Sequence, residues 1–288
     1  MTEALRQAVL DCAIDPHTNA LRTNIIGDRQ QNAGLELDRY LLRHGQQQPD
    51  GEQQSPERTA LLNRVARSSV PIGYAAAYHR WEAALGTLPG AESRIYRVNG
   101  RMIVGLGAES VLESSITLNR TWGVPYIPGT ALKGLAAHYL NDVLADGDPD
   151  LVRQDDLELD DHGRAPTPNV HGVLFGTGVR ASYVNWLDAW FIPGNTTDSQ
   201  SPFLPDVITP HHPGYYQKSA RIPQPTDADD PNPIPFVSAG GIYLACLQGP
   251  DQRWVDFAFR LLTEALEHAG IGAKTHAGYG RLVPGTTA

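Results

Sequence analysis

Apolar residues return every three to four positions in several stretches of the chain, the spacing that buries one face of a helix. Residues 1–90 read as largely helical, with Leu35, Leu37, Tyr40, Leu41 and Leu42 before a break. Residues 44–57, HGQQQPDGEQQSPE, interrupt it as an exposed polar loop. Leu61, Leu62, Val65 and Ala66 then predict a helix over 57–66, with Pro56 at or just before its first turn. Another helix is expected over about 73–85. Leu132, Leu135, Ala136, Tyr139, Leu140 and Val143 predict a helix over 130–144 that Thr130 is placed to cap. Trp254, Ala258, Leu261, Leu262, Ala265 and Ala269 predict the last, over 253–269.

Strands are expected elsewhere. Arg94, Tyr96, Val98, Met102, Val104 and Leu106 alternate around Asn99-Gly100, a turn signal. Val179, Tyr183, Val184, Trp186 and Trp190 favour a strand over 179–191, and 236–247 reads as another. Residues 193–235 contain ten prolines and little periodicity. A proline has no N–H for a sheet ladder, so this stretch is expected to be irregular and wrapped over a surface. From residue 94 the order is strand, helix, strand, excursion, strand, helix and closing strand near 283. That is an α+β, ferredoxin-like βαββαβ core with two helices on one face, the layout of the RNA-recognition modules. The expected organisation is a helical N-terminal region, 1–92, packed on a core over 93–288 that carries insertions at about 145–172 and 193–235.

Composition narrows the function. With 288 residues, 41% of them hydrophobic, the chain has enough to fill a core, which excludes wholesale disorder. Cys12 and Cys246 are too far apart for a C-x-x-C pair or a disulfide framework, as expected in a reducing cytoplasm. The N-terminus has no basic start and apolar run, and no stretch approaches eighteen apolar residues, so neither secretion nor membrane spanning is expected. The net charge of −9, from 23 Lys and Arg against 32 Asp and Glu, argues at first against nucleic acid. Its distribution changes that. Between residues 142 and 161 nine acids stand against Arg153 alone, a net −8, which leaves −1 for the remainder. The acidic run reads as a solvated linker. Its Asp146-Gly147-Asp148-Pro149-Asp150 order lacks the spacing, central glycine and closing glutamate of a calcium loop.

Three constellations could carry function. Gly129-Thr130-Ala-Leu-Lys133-Gly134 starts a helix, where free N–H groups and Lys133 suit a phosphate; ordinary helix capping is the alternative. It is not an ATP loop, because Gly134 and Leu135 follow the lysine. The segment 270–281 offers Lys274, His276 and Arg281 as donors and Tyr279 as a stacking face among glycines that permit close approach. A glycine-rich turn at a sheet edge is the bland reading of it. Asp206, His211, His212, Tyr215 and Lys218 share a proline-rich loop. Two adjacent histidines on an extended chain point apart, so RNA contact or partner docking fits better than a metal-dependent ribonuclease site, with plain anchoring of the loop as the alternative. No G-x-S-x-G elbow or Cys–His pairing in sequence suggests nucleophilic catalysis.

On these residues the chain resembles the Cmr-family RAMP proteins of type III-B CRISPR RNA-guided interference complexes, most like the sixth subunit of that series. The resemblance covers roughly 94–284. It rests on Ile-Pro-Gly-x-x-x-Lys-Gly ending at Gly134, Leu174-Phe-Gly176, Thr209-Pro-His211 before Tyr215-Tyr216, and Gly272-x-Lys-Thr-x-x-Gly278-Tyr-Gly-Arg281. Ala136, Ala137 and His138 stand where the family often carries an arginine after the lysine. The resemblance implies a non-catalytic, cofactor-free structural subunit that caps the backbone near the guide RNA 3′ end and helps position target RNA. Its implied partners are guide CRISPR RNA, target RNA, the backbone subunit, the small helical subunit and the other 3′-end RAMP subunit. The implied RNA-binding residues are Gly129, Thr130, Lys133, His211, Tyr215, Lys218, Lys274, His276, Tyr279 and Arg281, with no catalytic or metal-ligating residue.

Overall fold

The computed structural model describes residues 32–39, 56–110, 112, 114–154, 163, 167–194, 201–209 and 233–286. Its elements in chain order are helices α1 (Ala33–Arg39), α2 (Pro56–Ala66) and α3 (Tyr74–Gly86), strands β1 (Ala91–Val98) and β2 (Tyr126–Ile127), then helix α4 (Gly129–Tyr139). Helix α5 (Val170–Phe175) and strands β3 (Asn185–Trp186), β4 (Ala189–Phe191), β5 (Phe203–Ile208), β6 (Ile234–Ala239) and β7 (Ile242–Gln248) follow. Helix α6 (Gln252–His268) and strand β8 (Leu282–Pro284) complete the order.

The main sheet runs β2-β4-β7-β1-β8, with β3 also on β7, and every pairing is antiparallel. Its β4-β7-β1-β8 portion is the second, third, first and fourth strand order of a ferredoxin-like βαββαβ unit, as expected. Strand β7 is the centre: Ile242 through Leu247 are all buried. A strand buried on both faces must be continuously apolar, and both faces are indeed covered. On one, Tyr96 and Tyr243 stand opposite each other in the β1–β7 register, and the Tyr96 hydroxyl bonds Thr263 of α6 at 2.8 Å. Helix α4 packs on α6, with Leu132 and Ala136 joining Ala258, Leu262 and Ala265 in the same core. On the other face α3 brings Tyr74 and Trp81 to Trp190 of β4, stacked at 6.1 and 4.8 Å between ring centroids.

A second, smaller core lies to one side. Leu61, Leu62 and Val65 of α2 and Ala33 and Leu37 of α1 enclose Phe203 of β5, Val237 of β6 and Leu112. Buried Glu36 accepts from Arg64 at 2.7 Å, tying α1 to α2. The Asn32 side chain both caps α1, accepting from Leu35 N–H, and donates to the carbonyls of Arg120 and Thr121.

Several expectations need correction. The proline-rich excursion is not irregular throughout, because β5 and β6 pair over Phe203↔Ala239 to Ile208↔Ile234. Pro205 and Pro235 are tolerated because a two-stranded hairpin has an outer edge on each strand, where a missing N–H breaks no ladder. The expected strand over 236–247 is two strands, broken at Gly240-Gly241, where Gly241 adopts φ 91°. Asn99-Gly100 does not join a hairpin: Met102 bridges Ala239 instead of returning along β1. The strand expected over 179–191 is confined to β3 and β4. Helix α4 ends earlier than its periodicity suggests, and Leu140–Leu144 continues as a π-helical turn. Among the described residues no helix is long and apolar enough to cross a membrane.

The second core depends on α2. Replacing buried Leu62 by alanine should cost about 2–4 kcal/mol in urea unfolding. Replacing Leu35, 53% exposed on α1, should cost under about 0.5 kcal/mol.

Candidate nucleic-acid interface

Helix α6 begins with Asp251, whose carboxylate accepts the Arg253 N–H at 2.9 Å, and ends at the glycine-rich loop 270–281. Two close approaches fix that loop. A Cβ on Gly280 would stand 1.9 Å from the Ile271 carbonyl oxygen, and one on Gly272 would stand 2.2 Å from that of Ile103. Only glycine lets the backbones meet, and the loop is stitched down by Ile271 N–H to Gly280 at 2.8 Å, Ala273 N–H to Ile103 at 2.8 Å and Gly280 N–H to Arg101 at 2.8 Å.

Within this frame Lys274 adopts φ 62° and ψ 30°, the left-handed region that a lysine enters at a cost of about 1–2 kcal/mol. It starts a single 3-10 turn, Thr275–Ala277, its carbonyl accepting from Ala277 at 2.9 Å. Half-buried Lys274 makes no side-chain hydrogen bond or ion pair with a described residue, and His276 beside it is exposed. Arg281 is engaged internally: its guanidinium donates to the Glu267 carbonyl in the last turn of α6 at 3.3 Å. Tyr279 is also an anchor. Its hydroxyl donates to the Asp206 carboxylate of β5 at 2.6 Å, and Asp206 is 3.4 Å from Arg101, which itself donates to the Pro205 carbonyl at 2.7 Å. Burial, then the hydrogen bond to Asp206, push the Tyr279 phenol up to about 12. Asp206 is therefore the clasp between hairpin and loop. Among the described residues no group of three or more His, Cys, Asp or Glu side chains could hold a metal. The remaining candidates of the 206–218 loop, His211, His212, Tyr215 and Lys218, lie outside the described residues.

The α4 candidates have a different setting. Gly129 is buried, a Cβ there would meet the Trp186 carbonyl oxygen at 2.1 Å, and its N–H donates to Asp188 at 2.8 Å. That donor is already taken. Thr130 does not cap the helix; Pro128 precedes it, and Thr130 is an exposed residue of the first turn. Lys133 is half-buried, its ammonium donates to the Ser182 hydroxyl at 3.3 Å, and burial holds its pKa below the usual lysine range.

Lys133 does not join the loop cations. Ser182 precedes Tyr183, whose carbonyl lies beside Gly249, past the Gln248 end of β7. The glycine-rich loop docks on Arg101 and Ile103, past the Val98 end of β1. Since Ala91 pairs with Gln248 and Arg97 with Ile242, the two cation positions stand at opposite ends of the β1–β7 ladder. Arg101, Ser182 and Asp188 escaped the sequence reading, because nothing periodic marks a residue that acts across the fold.

Residues 96–283, from within β1 to within β8 and including the glycine-rich loop, match the RAMP superfamily, and the chain belongs to that family. Among proteins it is similar to, the CRISPR system Cmr subunit Cmr6 of Pyrococcus furiosus is 34% identical over 227 residues, 65% of this chain and 66% of that protein. The match thus spans just under two thirds of the relative's own length. A chain in the cryo-EM structure of the type III-B Cmr-beta bound to cognate target RNA shares the fold at a TM-score of 0.59 and 18% identity, covering 80% of this chain and 71% of that one. The crystal structure of Cmr6 from Pyrococcus furiosus is 32% identical with a TM-score of 0.41, covering 68% of this chain and 98% of that one.

Tyr279→Phe should cost about 1 kcal/mol of stability by removing the hydroxyl's hydrogen bond to Asp206, which keeps its Arg101 ion pair. The raised phenol pKa makes its contribution complete below pH 10 and lost as the pH rises through about 12, which a Tyr279 Cζ NMR titration would follow. Lys274→Gly should leave the melting temperature nearly unchanged, since relief of the left-handed strain offsets the added freedom of the unfolded chain, about 0.4–1 kcal/mol.

Proposed function

We propose that this chain is a non-catalytic, RNA-holding subunit of a cytoplasmic type III-B CRISPR RNA-guided effector complex. In this reading it caps the protein backbone near the guide RNA 3′ end and helps position target RNA. The observation that carries the reading is Lys274: a cation with no acidic partner among the described residues, presented in a left-handed conformation by a loop that four glycines and the Asp206 clasp make rigid. A lysine so placed contacts phosphate without reading a base, because the ammonium is a point charge with no edge to match. Exposed His276 extends the same surface, while Lys133 supplies a separate contact beside Ser182. The similarity to a Cmr6 subunit supports a place in a Cmr-type CRISPR complex.

Asp206 is committed to Tyr279, Arg101 and its neighbouring Val207 N–H, which argues against its serving as a ribonuclease metal ligand. The proposed partners are guide and target RNA, the backbone subunit, the small helical subunit and the other 3′-end RAMP subunit.

Ultraviolet crosslinking of the assembled complex followed by peptide mapping tests the reading. Crosslinked peptides should include 270–281, and crosslinks confined to other subunits would overturn it. Lys133→Ala and Lys274→Gly should each weaken guide retention at moderate salt and lower the salt slope by about 0.7 for each lost single-strand phosphate contact. Cleavage that requires His211 and His212 in the purified chain would establish the ribonuclease alternative instead.

A further inference from the structure

The acidic stretch that the RNA reading leaves aside is not a loose linker over its described part. The Arg153 N–H donates to the Asn141 side chain at 2.7 Å, closing residues 142–152 into a loop whose ends meet. Asn169 reaches the carbonyls of Pro149 and Val152, both at 2.8 Å, and Ala145 is buried beneath. The π-helical turn at its start keeps Leu140 buried and turns Val143 and Leu144 outward, 56% and 40% exposed. Within the same closed loop Asp142, Asp146, Asp148 and Asp150 are exposed. Two adjacent large apolar side chains are thus exposed on the same tied loop as four exposed carboxylates, of which Asp142 is paired with His138.

We propose that this face docks a Lys/Arg-rich segment of a neighbouring protein subunit, whose apolar side chains seat on Val143 and Leu144. Charge decides the occupant. RNA phosphates would meet four carboxylates and are repelled. Residues 155–161 of this chain add five further acids, so they cannot neutralise these carboxylates. A basic protein segment satisfies both features at once, gaining apolar contact with Val143 and Leu144 and charge complementarity with the acids of the same loop.

The inference rests on the reading of the chain as a subunit of a larger assembly, and its test separates the two. The full chain is co-expressed with the other subunits and treated with ribonuclease, and association is measured across ionic strength. Asp146→Asn, Asp148→Asn and Asp150→Asn together keep the hydrogen-bond acceptors of the loop. Combined, they should weaken association about tenfold and flatten its salt dependence. Val143→Ser with Leu144→Ser should weaken it by a similar factor with the salt dependence kept. Melting temperatures check that both variants fold. A photo-crosslinking residue at Leu144 reports independently of any folding defect. Crosslinks to a basic protein segment support the proposal; crosslinks to RNA or to 155–161 overturn it, as does unchanged association in both variants. No association of the wild-type chain with any subunit would overturn the parent reading instead.

Discussion

The structure depends on one strand being buried on both faces. Ile242 to Leu247 of β7 is apolar without interruption and holds β1, β3 and β4 against its two edges. A strand in that position leaves no face for solvent, so α4 and α6 must cover one side and α3 the other. The aromatic stack of Tyr74, Trp81 and Trp190 is the seam by which α3 closes the second face. With both faces covered, the ends of the ladder are where polar chemistry can gather. Lys133 stands by one end and Lys274 by the other.

At the Val98 end, three segments distant in sequence meet. Arg101 follows β1, Asp206 comes from the hairpin, and Tyr279 from the loop after α6. Helix α2 supports the opposite side of that hairpin through Leu61, Leu62 and Val65. The N-terminal helices therefore have a mechanical consequence for the candidate interface: they fix the hairpin from which Asp206 clasps the glycine-rich loop. The left-handed Lys274 persists because this surrounding structure overdetermines the backbone.

Charge is divided in the same spatial manner. The acids of 142–150 ride on a tied loop after α4, while Lys274, which has no acidic partner among the described residues, sits on the loop after α6. The net charge of −9 is thus not spread along the chain, since −8 of it falls within residues 142–161.

The sequence by itself determined the elements whose pattern is local. The apolar repeat of 252–268, the proline at the start of α2 and the glycines of 270–281 each follow from backbone geometry that a few neighbouring residues dictate. They were legible, and so was the order of strands and helices that defines the ferredoxin-like core. Only the tertiary structure decided what those residues touch. Gly129 looked like a free helix-start donor until Asp188, fifty-nine residues away, was found on its N–H. Tyr279 and Arg281 looked like ligand-facing side chains, yet Asp206 and the Glu267 carbonyl hold them. Pro205 argued against a strand that an edge position permits. In each case the partner comes from another part of the chain, and hydrogen bonds across such separations leave no periodic trace in the sequence.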